Sequence, residues 1–367
     1  MLPGAVGWGP AVEKVKHMPE VNAYAIDSPT GRYEKTTITR REPGPTEVYF
    51  EIAYAGICHS DIHTARGEWG ETLYPLVAGH EIAGIVTEVG SEVTQFKAGD
   101  RVGVGCFIDS CRECEMCRAG DEHFCTGRPG TIGTYNYIGR DGEPTAGGYS
   151  QGITVEQNYL MRVPDEISLE HAAPLMCAGI TTYSPLKHWG AGPGKRVAVV
   201  GLGGLGHVGV QFAAAMGAEV TVLGRTLAKR DDGMKLGASD YVSTQDADAM
   251  KGLRASFDII LCTISDGVEP DTLLALLKPY GVVINLGLPK SGSASVNLGR
   301  LINGNKVLAG SNIGGIRETQ EMLDFCADNA IRPIVEIIGA DQINEAYDNV
   351  VGSKVRYRYV IDTATMG

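Results

Sequence analysis

The sequence predicts a mixed α/β and β fold: a β-rich, barrel-like domain, then a doubly wound domain on a parallel sheet. Three observations carry this. The first part of the chain is a run of short strand candidates broken by Pro-Gly and Gly-Asp pairs. From about Cys177 onward, apolar strands alternate with helical stretches, the pattern of a parallel sheet covered on both faces. Third, Gly201-Leu202-Gly203-Gly204-Leu205-Gly206 falls where a strand gives way to a helix, the setting that a dinucleotide-binding turn requires. At 367 residues the chain is long for one hydrophobic core, so two domains are expected.

In chain order, residues 48–56 (VYFEIAYAG) and 81–90 (EIAGIVTEVG) are strand candidates, and 98–105 (AGDRVGVG) is a turn feeding another. In the second part, 195–201, 219–224, 257–264, 281–287 and 306–311 are apolar strands. Residues 207–218 (HVGVQFAAAMGA), 271–281 (DTLLALLKPYG) and 318–330 (ETQEMLDFCADNA) are helical. The tail ending in YRYVID is expected to return to the first domain. The boundaries follow as 1–175, 176–312 and 313–367. The first 17 residues have the composition of a loose leader, with Met18 a candidate start.

A net charge of −12 with no basic run argues against nucleic acid or an anionic membrane surface as partner. No apolar stretch is long enough to span a bilayer, and the N-terminus lacks the charged and apolar regions of a secretory signal. Nine Cys, several of them crowded between Cys106 and Cys125, suit metal binding in a reducing cytoplasmic compartment better than a disulfide framework.

The Gly-rich turn assigns roles by position. Gly201 permits the tight turn, Gly203 lets backbone approach a pyrophosphate, and Gly206 lets helix and strand pack closely. Gly204 and Leu205 complete the loop, and the helix beyond offers free N–H groups to the phosphates. An NAD site carries Asp or Glu at the end of the next strand to hold the ribose 2′-hydroxyl. This chain has Gly224-Arg225-Thr226 there, with Lys229 and Arg230 following. A missing carboxylate and added cations favour NADP(H); the competing reading makes Lys229 and Arg230 a solvated helix face.

Two metal sites are expected. Cys111, Cys114, Cys117 and Cys125 lie in one short loop, matching a closed structural zinc site. The first three share the ferredoxin spacing, but the fourth comes too late and lacks the following Pro. Cys58, His80, Glu81 and Cys177 offer the thiol, imidazole and carboxylate donors of an open catalytic zinc site. Cys262 and Cys326 are expected to be core thiols, and Cys106 either another or part of the pocket lining.

GICHSDIH, GHE, the four-Cys loop and GLGGLG, in this order, resemble the zinc-dependent medium-chain alcohol dehydrogenases. SDIHTARGEWG, YPLVAGHE, TYNYIGRDGEPTAGGYSQ and VRYRYV resemble their cinnamyl alcohol dehydrogenase branch, including bacterial aldehyde reductases. The resemblance covers residues 20 to 365 and implies a GroES-like catalytic domain in two segments, a Rossmann domain inserted between them, and a homodimer. It implies that Cys58, His80 and Cys177 bind the catalytic zinc, with Glu81 as an exchangeable fourth ligand. Asp61 would orient the ligand histidine, Ser60 would touch the substrate oxygen, and His63 would continue the proton relay to solvent. Gly133 and Asn312 fall where the plant lignin enzymes place large aromatics, while Trp69 adds an aromatic at the pocket mouth.

The expected activity is hydride transfer between NADP(H) and primary alcohols or aldehydes, aromatic or medium aliphatic, with reduction dominant. Two alternatives stand beside it. One is an iminium or activated-alkene reductase on the same scaffold, which loss of Ser60 or Glu81 would have hinted at. The other is a zinc- and NADPH-binding sensor without turnover, which a broken triad would have marked.

Overall fold

The computed structural model describes residues 20–289 and 292–367; the proposed leader lies outside them. Two sheets organise the chain. The first is seven-stranded and mixed, with Val335–Gly339, Arg358–Asp362, Glu47–Gly56, Ile82–Val89, Arg101–Val104 and Met161–Arg162 side by side. Gly152–Glu156 adds to Glu47–Gly56. The tail does return: Arg358–Asp362 pairs antiparallel with the end of Glu47–Gly56.

The second sheet is six-stranded and parallel throughout. Its order is Asp240–Ser243, Glu219–Gly224, Arg196–Val200, Phe257–Cys262, Leu277–Asn285, Val307–Gly310. Numbered along the chain this is 3-2-1-4-5-6, the order that places a dinucleotide at the strand carboxyl ends. Arg196–Val200 lies in the middle, and Val197, Ala198, Val199 and Val200 are all fully buried. That explains the unbroken apolar run: a strand covered on both faces has no polar side to alternate with.

One expected helix is shorter than the reading of 271–281. It covers Pro270–Leu276, after which Leu277 enters a strand. Pro279 offers no N–H to a helical ladder, and Tyr280 takes φ 63°, outside helical geometry. The helix at 207–218 is observed as Gly206–Ala215 and stops before Gly217 at φ 92°.

Between the sheets runs a helical segment with a defect in it. Leu169–Pro174 and Ile180–His188 are α-helical, but Leu175–Gly179 is a widened π-helical turn. Pro174 removes a backbone donor just before it. Such turns re-aim side chains, and this one carries Cys177. One apolar cluster crosses the seam, joining Met161 and Ile167 to Val199, Phe212, Leu323 and Tyr357.

Candidate active site and metal centres

Cys58 ends an extended stretch and precedes the helix His59–Ala65. Asp61, in that helix's first turn, accepts from the Cys58 N–H at 2.9 Å, which caps the helix. The same carboxylate accepts from Gly79 N–H at 3.2 Å and lies 2.9 Å from His80 Nδ1. One buried side chain therefore fixes the helix start and the imidazole together. With Nδ1 held by Asp61, Nε2 is the ring atom left to bind a metal.

Four ligand atoms converge here. One from each of Cys58, His80, Glu81 and Cys177 lies within 4.8 Å of the others, and all four residues are buried. Gly56 makes room for Glu81, since a Cβ there would come 2.1 Å from its Oε2. Burial pushes the Glu81 carboxyl up to about 8, against the pull of Arg358. Oε1 of Glu81 is ion-paired with Arg358 Nη2 at 2.9 Å, while Oε2 has no hydrogen-bond partner. Two thiols, an imidazole and a buried carboxylate with one oxygen unpartnered are a donor set that fits zinc.

Ser60 Oγ lies 3.7 Å from Cys58 Sγ, at the edge of this cluster. Nδ1 of His63 lies 2.5 Å from Glu68 Oε2, and its ring stacks on Trp69 at 4.8 Å. Trp69 is half-exposed, so this end faces solvent. Ser60 and His63, three apart on one helical turn, share no direct hydrogen bond among the described residues.

Cys106, Phe107, Met176, Ile180, Ile313 and Ile316 surround a gap in the packing with room for no more than a water. Cys262 and Cys326 are buried core thiols. Asn312 is exposed, and its neighbour Ile313 packs against the core. Gly133 lacks a side chain because the Tyr137 ring stands there: a Cβ at 133 would come 2.3 Å from it.

The second cluster is compact. Sγ of Cys114 lies 3.5 Å from Cys117 and 3.9 Å from Cys125, and Cys111 lies 3.8 Å from Cys117. Backbone N–H groups of Glu113 and Cys114 donate to Cys111 Sγ, which lowers its pKa and suits a metal-bound thiolate. The lobe is tied to the next segment: Glu122 accepts from Ile316 N–H at 3.2 Å, and Arg317 Nη2 donates to Ala119 O at 2.8 Å.

At the nucleotide turn, Gly201 takes φ 89°, and a Cβ on Gly206 would come 1.9 Å from Gly201 O. Both positions require glycine. A Cβ on Gly203 would meet nothing within 4 Å, so this backbone faces open space that a pyrophosphate can fill. Arg225 and Thr226 are exposed after the second strand, and Lys229 Nζ donates to Leu202 O at 3.0 Å.

The sequence reading missed one residue here. Arg358 is 4% exposed, with Nη2 lying 2.9 Å from Glu81 Oε1 and Nη1 donating to Ile57 O. A Cβ on Gly204 would come 3.1 Å from its Nε. Arg358 therefore connects the metal cluster to the nucleotide turn. Its position within YRYV was visible, but nothing in that string signalled a site.

Comparison with known proteins agrees with this geometry. Residues 44–165 match the alcohol dehydrogenase GroES-like domain, and 204–328 match the zinc-binding dehydrogenase family. The chain is 59% identical over 349 residues to NADP-dependent alcohol dehydrogenase C 1 of Mycolicibacterium smegmatis, covering 95% of this chain and 99% of the relative. It is 49% identical to aldehyde reductase YahK of Escherichia coli, covering 94% and 98%. Among solved structures, a cinnamyl alcohol dehydrogenase of Sorghum bicolor superposes with a TM-score of 0.90 at 40% identity, covering 94% and 98%. The Helicobacter pylori cinnamyl alcohol dehydrogenase with NADP(H) gives 0.89 at 41%, covering 95% and 99%.

The fold and the two clusters define a zinc-binding dehydrogenase, and the chain belongs to the zinc-dependent medium-chain alcohol dehydrogenases. Within them it is an NADP-dependent oxidoreductase of the alcohol dehydrogenase and aldehyde reductase type. These relatives fit the alcohol and aldehyde reading, not the imine or alkene alternative.

Proposed function

We propose that this enzyme interconverts aldehydes and primary alcohols with NADP(H), chiefly as a reductase, at the cluster of Cys58, His80, Glu81 and Cys177. The observation that carries it is the convergence of these four buried donors. When bound, zinc supplies Lewis acidity toward the substrate oxygen, and NADP(H) supplies or takes the hydride. The protein does the rest. Cys58, His80 and Cys177 hold the metal, with Glu81 within reach as an exchangeable ligand. Asp61 keeps the His80 ring turned. Ser60 handles the proton at the substrate oxygen, and His63, against Glu68 and Trp69, passes it to solvent. Gly201 to Gly206 seat the pyrophosphate, while Arg225, Thr226 and Lys229 face the adenosine end. Cys111, Cys114, Cys117 and Cys125 hold a structural zinc.

Relatives named as an aldehyde reductase and as cinnamyl alcohol dehydrogenases support aromatic and medium aliphatic aldehydes as substrates. The test is NADPH oxidation with an aldehyde panel, repeated with NADH and after zinc removal. Chelator-sensitive turnover favouring NADPH supports the reading, and equal or faster alcohol oxidation with NAD+ overturns it.

The homodimer also belongs to this proposal. Val307–Gly310 is an edge strand of the six-stranded sheet, and Leu298 and Ile302 beside it are 67% and 74% exposed. An open edge next to apolar side chains suits a second copy. Light scattering on wild type and Ile302→Asp tests this. Residues 1–175 and 313–367 would form the catalytic domain and 176–312 the nucleotide domain. A cytoplasmic site suits the free thiols, and no helix among the described residues is long and apolar enough to cross a membrane.

A further inference from the structure

Lys229 does not extend freely into solvent. Its Nζ donates to Leu202 O at 3.0 Å and stands 4.7 Å from the centre of the Tyr357 ring. His207 stacks on the same ring, with centroids 5.0 Å apart and planes 10° from parallel. His207 is itself fixed at both nitrogens. Nε2 accepts from Ile334 N–H at 3.1 Å, which makes Nδ1 the donor to Gly203 O at 3.0 Å. Two successive carbonyls of the nucleotide turn, Leu202 and Gly203, are therefore each held by a side chain that packs on Tyr357.

The ring is fixed in turn. Tyr357 is 2% exposed, and its hydroxyl donates to Asp232 Oδ2 at 2.6 Å. Arg356 Nε donates to the same oxygen at 2.6 Å, so the carboxylate facing this group is already paired. A half-buried ammonium has lost part of its water, and a π face offsets some of that loss. Lys229 has three N–H donors, of which Leu202 engages one. The others stay available to an anion.

We propose that Tyr357 is a positioning residue for nucleotide selectivity: its ring holds the Lys229 ammonium beside the Gly-rich turn, in place for the 2′-phosphate of NADP(H). This rests on the reading of NADP(H) as the cofactor. The platform comes from the returning C-terminal segment, next to Arg358, so the adenosine end and the metal end are held by adjacent residues. Weakening the hold of the ring on Lys229 is therefore expected to act on NADPH far more than on NADH, which has no 2′-phosphate.

The experiment measures Kd for NADPH and NADH by nucleotide fluorescence, on the zinc-loaded enzyme and four kinds of variant. Tyr357→Phe keeps the ring and loses only the bond to Asp232, so NADPH binding stays within about twofold. Tyr357→Leu removes the ring and weakens NADPH about fivefold or more, while NADH moves less than about twofold. Mono-, di- and trifluorinated phenylalanine at 357 keeps the shape and drains the negative π face, so NADPH affinity falls stepwise. This series remains informative if the Leu variant fails to fold. In Lys229→Met the fluorine series is flat. Equal weakening of both nucleotides, or no response to fluorination, would overturn the proposal and leave Tyr357 as core packing. A wild-type enzyme with no preference for NADPH would instead overturn the cofactor reading beneath it.

Discussion

Nη2 of Arg358 lies 2.9 Å from Oε1 of Glu81, and both side chains are sealed from water, at 4% and 0% exposure. The pair joins the last strand of the chain to the metal cluster. Removing one member of a buried pair strands a charge and costs about 3–5 kcal/mol. Arg358→Met and Glu81→Gln should therefore each lower thermal stability, the Gln variant more, because the buried guanidinium cannot give up its proton whereas the Glu81 carboxyl can take one. The double variant should recover part of the Glu81→Gln loss. Thermal denaturation of the four proteins gives the coupling, and simple additivity would refute the pairing.

Asp61→Asn replaces an acceptor of three bonds by an amide that can still cap but no longer carries the charge facing His80. Loss of a residue that orients a ligand histidine weakens metal affinity by about 10–100-fold. Competition with a chromogenic chelator should show one weakened site and one unchanged, the latter being the four-Cys lobe.

Cys114→Ser opens that lobe. The variant should lose one metal and become sensitive to proteolysis between 111 and 127. Because Glu122 and Arg317 tie the lobe to the start of the helix Ile316–Asp328, the melting temperature should fall as well. Metal analysis, limited digestion and thermal denaturation check the three parts separately.

His207 supplies a pH dependence. Burial, opposed by its bond to Gly203, pulls its pKa from the ordinary 6.5 to about 3. The folded state then binds fewer protons than the unfolded state between these values, so stability is intact above about 6.5 and declines as pH falls toward 3. His207→Gln keeps an amide donor and acceptor but does not titrate there. Its melting temperature should fall less steeply over this window, and an unchanged slope would remove His207 as a cause.

Much of the site was legible because its parts are local. The Gly-rich turn depends on φ at Gly201 and the clearance at Gly206, both set by a few consecutive residues. The four-Cys lobe closes over a short loop. The end of the second strand, Gly224-Arg225-Thr226, is read from residue type alone. Less legible was Arg358, whose meeting with Glu81 joins residues far apart in the chain. At Gly133 the Tyr137 ring, four residues on, occupies the space that a side chain would need.

By itself the sequence determined the two-part fold, the order of the motifs and the kinds of donor that each site offers. These follow from hydrophobic period, turn chemistry and spacing, which act over a few residues. Only the tertiary structure decided which distant groups meet. Cys177 reaches Cys58 and His80 because a π-helical turn re-aims it, and Arg358 reaches Glu81 because the last strand pairs with Glu47–Gly56. Tyr357 carries Lys229 and His207 for the same reason. Such contacts depend on strand register and on the packing of one sheet against another, and no short stretch of sequence encodes either.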